Sequence, residues 1–165
     1  MIVLDTMVLI HLSKIGLLEA ALELHGGGLI PVKVYDEAVV RGKKEGHADA
    51  PYIEELVRTH KIRVKKADAK TTEIVERIGM RGGEGECVAL AKQTGFALAT
   101  DDDAVRAKKE RLQVKLRGTL SLVVELAEAG KIPKAKALEA LSALRRIGWF
   151  SSAVIDKARL VVEHV

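Results

Sequence analysis

The chain has 165 residues, 48% apolar and 30% charged, which is the size and composition of one ordinary globular domain. Only 3% of the residues are aromatic, so the core must be built from Leu, Val, Ile and Ala, and an aromatic platform for base stacking is not expected. The net charge of +4 tolerates a polyanion such as RNA, the single cysteine, Cys87, excludes an internal disulfide, and no apolar run approaches the ~18 residues of a membrane helix.

Met1-Ile2-Val3-Leu4-Asp5 has no basic leader and reads as a first buried strand, which together with the lone thiol suits a cytoplasmic protein. Met7 to Ile15 and Leu17 to Leu24 carry helix formers separated by Gly16. After Gly26-Gly27-Gly28, the run Leu29-Ile30-Pro31 reads as a second strand, and Val34 to Lys44 as a helix with Val34, Ala38 and Val39 inward. Asp49 and Pro51 open another helix. Ile62-Arg63-Val64 alternates like an edge strand, and Thr71 to Ile78 is a short helix.

Arg81-Gly82-Gly83 reads as a break. From Glu84, the residues Cys87, Leu90, Ala91 and Thr94 form one helical face, closed by Gly95. Phe96 to Thr100 is a strand, Asp101-Asp102-Asp103 caps a basic helix, and Val114 and Leu116 lie in a last strand before a helix opened by Gly118-Thr119. Residues after Gly130 look purely helical, with Leu138, Leu141 and Leu144 on one face and Ile155, Ala158 and Val162 on another. Strands alternating with helices predict a mainly parallel sheet covered on both faces, with its usable crevice at the carboxyl ends of the strands.

Acids interrupt the apolar segments at just those ends. Asp5 follows the first strand, Glu37 lies in the helix after the second, Glu86 opens a later helix, and Asp101, Asp102 and Asp103 follow the strand Phe96 to Thr100. Each has a plain structural reading: Asp5 and one of the Asp triplet as N-caps, Glu37 as an exposed helical acid. Gathered together, they offer oxygen ligands for one or two hard divalent ions, Mg²⁺ or Mn²⁺. Such ions would invert the sign of an acidic pocket that otherwise repels a phosphodiester.

The segments Ile2-Val3-Leu4-Asp5-Thr6, Pro31-Val32-Lys33-Val34-Tyr35-Asp36-Glu37, Gly85-Glu86-Cys87-Val88-Ala89-Leu90-Ala91 and Ala99-Thr100-Asp101-Asp102-Asp103-Ala104-Val105-Arg106, with Arg117-Gly118-Thr119 behind them, resemble in order the motifs of the PIN-domain nucleases, specifically the branch of VapC-type toxins. The resemblance runs from Met1 to about Gly130. It implies a three-layer α/β/α sandwich over a mainly parallel sheet, as one domain over 1–165 with residues 131–165 as a C-terminal helical extension. It also implies metal ligands at Asp5, Glu37, Glu86 and Asp102, with Asp101 as the second choice within the triplet, and supporting hydroxyls at Thr6 and Thr119. The activity implied is metal-dependent hydrolysis of RNA to 5′-phosphate and 3′-hydroxyl ends. A homodimer and a small inhibitory antitoxin are the implied partners.

Arg41, Lys43, Lys44, Arg106, Lys108, Lys109 and Arg111 are candidates to hold the RNA backbone, against the reading of a solvated helix face. A non-catalytic RNA-binding module on the same fold is the rival from another class. An Asp5-nucleophile phosphatase fits less well, because position 7 is Met7 rather than a second Asp. Neither a Gly-x-Ser-x-Gly elbow nor a His-Glu-x-x-His pair is present, and the five histidines read as surface or packing residues. The absence of Asn, with Gln93 and Gln113 the sole side-chain amides, leans toward a thermophile source.

Overall fold

A computed structural model describes residues 1–165. The chain runs β1 (Ile2–Leu4), α1 (Thr6–Lys14), α2 (Leu18–His25), β2 (Gly28–Ile30) and α3 (Val32–Tyr35). The α3 helix widens into a π-helical stretch, Asp36–Arg41, and continues as α4 (Gly42–Lys44), followed by α5 (Asp49–Arg58), β3 (Ile62–Val64) and α6 (Ala69–Arg77). Then come α7 (Gly82–Thr94), β4 (Ala97–Ala99), α8 (Asp103–Ala107), α9 (Lys109–Leu112), β5 (Leu116–Arg117) and α10 (Thr119–Glu128). Two further helices, α11 (Lys134–Ile147) and α12 (Ser152–Glu163), complete the fold.

All strand pairs are parallel, in the order β3-β2-β1-β4-β5. The result is the α/β/α sandwich expected from strands that alternate with helices. Ile2, Val3 and Leu4 of β1 are buried, as a strand covered on both faces must be. The chain first builds outward from β1 through β2 to β3, then returns to place β4 and β5 on the opposite side. The reversal of winding falls between β1 and β4, where open α/β sheets leave a crevice at the carboxyl ends of their strands.

Local chemistry explains the element ends. Asp5, Asp68, Asp102 and Ser151 cap their helices by accepting from the amides of Val8, Thr71, Val105 and Val154. Gly95 ends α7 in the left-handed region, at φ 75°, where a side chain would be strained. Gly28 has a different reason: a Cβ there would stand 2.7 Å from Leu22 Cδ2, so a larger residue would push the Leu22 side chain of α2 aside.

Two sequence expectations change. Gly82 and Gly83 do not break the chain but form the first turn of α7, with Arg81 as its N-cap residue. The helix of Val34 to Lys44 starts two residues earlier and is not regular, because Asp36–Arg41 takes the wider π-helical winding. Val34, Ala38 and Val39 face inward as expected. The tail helices share the main core: Ala137, Leu141, Leu144, Ile155 and Val162 belong to the same buried cluster as β1 and β4.

Candidate active site at the carboxyl edge of β1 and β4

The Asp5 amide donates to the Ala99 carbonyl at 3.1 Å, which continues the β1–β4 ladder by one residue and sets Asp5 beside the turn that carries Asp101. A cleft of about 720 Å³ opens there. Six carboxylates line it, those of Asp5, Glu37, Glu84, Asp101, Asp102 and Asp103, against the guanidinium groups of Arg81 and Arg106.

Capping and cleft duty are compatible, because a carboxylate has two oxygens and several lone pairs. Asp5 Oδ1 accepts from the Val8 amide at 2.9 Å, and Asp102 Oδ1 accepts from Val105 at 2.9 Å. Each acid keeps a second oxygen. The buried Thr100 hydroxyl lies between them: it accepts from the Asp102 amide at 3.1 Å and helps lower the Asp5 carboxyl.

Glu37 sits in the π-helical stretch, a winding that recurs at functional sites because it re-aims side chains. Its Oε2 accepts from the Thr6 hydroxyl at 2.6 Å. Thr6 is thus a support for a neighbouring acid, and the cap is Asp5.

Of the two α7 glutamates, Glu84 is the one that lines the cleft. Residues two apart on a helix do not face each other, yet the charges of both Glu84 and Glu86 reach the Cys87 thiol. The buried stripe of α7 passes through Cys87, whose Sγ lies 3.8 Å from the Leu4 carbonyl at the end of β1. Glu84 stands one turn before Cys87 on that stripe and overhangs the site, with Glu37 and Asp102 as neighbours. Glu86 does not line the cleft. The spacing from Glu84 to Cys87 was the available signal, and it is the same three-residue step that defines the buried face.

Asp101 is the most firmly held of the acids. Its Oδ1 accepts from the Thr119 amide at 2.8 Å, and its Oδ2 takes a short bond from the Thr119 hydroxyl. His11 Nδ1 lies 3.6 Å from Oδ2 and has no closer partner. Burial pushes this carboxyl up, but His11 and the two Thr119 donors outweigh it and hold it below the usual range. Within the triplet, Asp101 is therefore the anchored member, and Asp102 has the freer carboxylate.

Asp5 and Glu84 behave as members of a site short of positive charge. Burial lifts the Asp5 carboxyl to about 6, with Asp101 and Asp102 adding repulsion and Thr100 and Val8 opposing it. Glu84 is raised by burial, then by Asp102 and Glu37. The buried Cys87 thiol is pushed up as well, which makes it an inert core residue.

A sequence model of DUF3368, described as a PIN domain, matches residues 1–162. The chain belongs to the PIN-domain family. No curated protein and no solved structure matches it. PIN domains are in general nucleases, which makes a hydrolase of phosphodiester bonds the expected class. The match extends past Gly130 through most of α12, so the helical tail is part of the family pattern.

The acids of this PIN domain suit a hard divalent cation: they offer carboxylate oxygens, with two carboxyls destabilised by crowding and burial. As the side chains stand, no three of them close on one point at ligand distance. Glu37 and Asp101 are turned to their threonines, so loading requires some rotation of the remaining oxygens.

Among the basic candidates, Arg106 lines the cleft. Arg41, Lys43, Lys44, Lys108, Lys109 and Arg111 do not; Lys43 is instead paired with Glu54 at 2.9 Å. Arg81, passed over as part of a glycine-rich break, lines it. So do His11 and the turn between α11 and α12, with Trp149, Phe150 and Ser151, in a segment that carries no catalytic motif.

Proposed function

We propose that this PIN domain is a Mg²⁺- or Mn²⁺-dependent endoribonuclease. The single observation that carries the reading is the gathering of Asp5, Glu37, Glu84 and Asp102 on one cleft at the winding reversal between β1 and β4. Asp5, Glu84 and Asp102, with Glu37, would hold the cation. When bound, it supplies the Lewis acidity that neutralises phosphodiester charge and acidifies the attacking water.

The chain's own groups supply position and selectivity. Arg81 and Arg106 are placed to bind phosphate oxygens beside the acids. Thr6 and Thr119 hold Glu37 and Asp101 in fixed orientations. Burial of Asp5 strengthens its own attraction for a cation. The resemblance to VapC-type toxins extends the proposal to a homodimer restrained by a small antitoxin in the cytoplasm.

The test is incubation of end-labelled single-stranded RNA and DNA of one sequence with Mg²⁺ or Mn²⁺, with and without EDTA. The expected outcome is cleavage of RNA alone, stopped by EDTA, leaving 5′-phosphate and 3′-hydroxyl ends. RNA binding that survives EDTA without cleavage at any metal concentration would instead identify a non-catalytic binding module.

A further inference from the structure

Trp149 stands on the lip of the acidic cleft with 95% of its surface exposed. Singly exposed apolar residues are ordinary. This one is set apart by how its turn is fixed. The neighbouring Phe150 ring packs against the buried His11, with centroids 5.6 Å apart and planes tilted by 57°. Gly148 lies so close under the Phe150 ring that a Cβ there would overlap it. Ser151 then caps α12. The turn is thus pinned on both sides of Trp149, while the indole itself touches solvent. The pinned turn holds the backbone of Trp149 at the cleft and leaves both faces of its ring free to stack.

We infer that Trp149 is the substrate-stacking residue of this site, receiving one unpaired base of a single-stranded RNA next to the phosphodiester held in the cleft. The inference rests on the ribonuclease reading and specifies its substrate. Continuity with the proposed phosphate-binding groups, Arg81 and Arg106, argues for RNA as the occupant. Trp149 shares its cleft with Arg81 and Arg106, the groups placed to take phosphate, and with the exposed side chains of Met7 and Val154, whereas Leu160, Val161 and Val165 line a separate depression. A base in a duplex is already stacked and cannot leave at comparable cost, so the platform selects single strands. The low aromatic content had argued against base stacking, but one well-placed ring is sufficient for one base.

Trp149 is the sole tryptophan, so its fluorescence reports on its own occupancy. Short single strands, the matching duplex and a strand with one abasic position are titrated into the Asp5→Asn chain with Mg²⁺. Saturable quenching by the single strand, none by the duplex, and a Kd on the order of 10-fold weaker for the abasic strand are expected. In the cleavage assay, Trp149→Ala should raise KM by on the order of 10-fold, with the loss falling on KM rather than kcat, and Trp149→Phe should recover most of it. An unchanged KM in Trp149→Ala, or equal quenching by duplex, or quenching only by a protein partner, overturns the inference. If the wild-type chain cuts nothing, the nuclease reading fails, and the quenching series still decides whether Trp149 stacks on RNA.

Discussion

The Thr6 hydroxyl donates to Glu37 Oε2 at 2.6 Å and so ties the residue after the first strand to a π-helical stretch 31 positions later. Thr6→Val keeps the shape of the side chain and removes the donor. Glu37 would then be free to turn away from the cleft. The expected loss is on the order of 10–100-fold in kcat/KM, the usual scale for a residue that orients a metal ligand, with the circular dichroism spectrum unchanged. Activity within two-fold of wild type would show that Glu37 needs no tether.

Glu84 and Glu86 differ by two positions and by nearly half a turn, which makes them a matched pair for mutation. Glu84→Gln is expected to lower cleavage by on the order of 100-fold or more, whereas Glu86→Gln stays within a few-fold. Single-turnover rates on one RNA at saturating Mg²⁺ distinguish them. The reverse ranking would return the role to Glu86.

Asp5 has a folded pKa of about 6 against 3.8 for the unconstrained carboxyl. Below pH 4 the group is protonated in both states and costs nothing. As pH rises from 4 to 6 the unfolded chain ionises first, so the native state loses stability, and above pH 6 the penalty is complete. In EDTA, Asp5→Asn should therefore stabilise the protein at pH 8 by about 1–3 kcal/mol, with little gain at pH 4. The Val8 amide can still be capped by the Asn carbonyl oxygen. Urea melts at the two pH values measure this. The same proton competes with the cation, so affinity for Mg²⁺ should weaken by about 10-fold per unit as pH falls below 6.

Thr119 is fully buried and gives two hydrogen bonds to Asp101, of which Thr119→Val removes the one from the hydroxyl. The cost is expected at about 1–3 kcal/mol, because one oxygen of a mostly buried carboxylate loses its partner. Asp101 is held below its ordinary value of 3.8, so the stability it contributes is present above that pH and fades as acid protonates it. The difference between wild type and Thr119→Val should accordingly be larger at pH 7 than near pH 3. Equal differences at both values would mean that the valine disturbs packing alone.

Much of this architecture is legible in periodicity. Ile2 to Leu4, Leu29-Ile30 and Leu98-Ala99 announce buried strands, and acids placed directly after two of them announce the edge on which Asp5 and Asp101 meet. What stays hidden has physical causes. Glu84 and Glu86 both look like helix-opening acids until the helix start is known, and the start moved because Gly82 and Gly83 join the first turn. A cap and a ligand look like alternatives in sequence, yet Asp5 and Asp102 cap with one oxygen and keep the other. Trp149 and Phe150 reach the cleft through tertiary packing of α11 and α12, for which no local pattern exists. Arg81 was masked by its glycines, and His11 by its place on an apolar helical face.

The shared site for a divalent cation is tested most directly by Mn²⁺ titration, followed by electron paramagnetic resonance of the free ion, on wild type, Asp5→Asn, Glu84→Gln and Glu86→Gln at pH 7.5. The expected result is saturable binding by wild type and Glu86→Gln, weakened by at least about 10-fold in Asp5→Asn and Glu84→Gln. Absence of saturable binding in the wild type, or equal binding by all four chains, would contradict it.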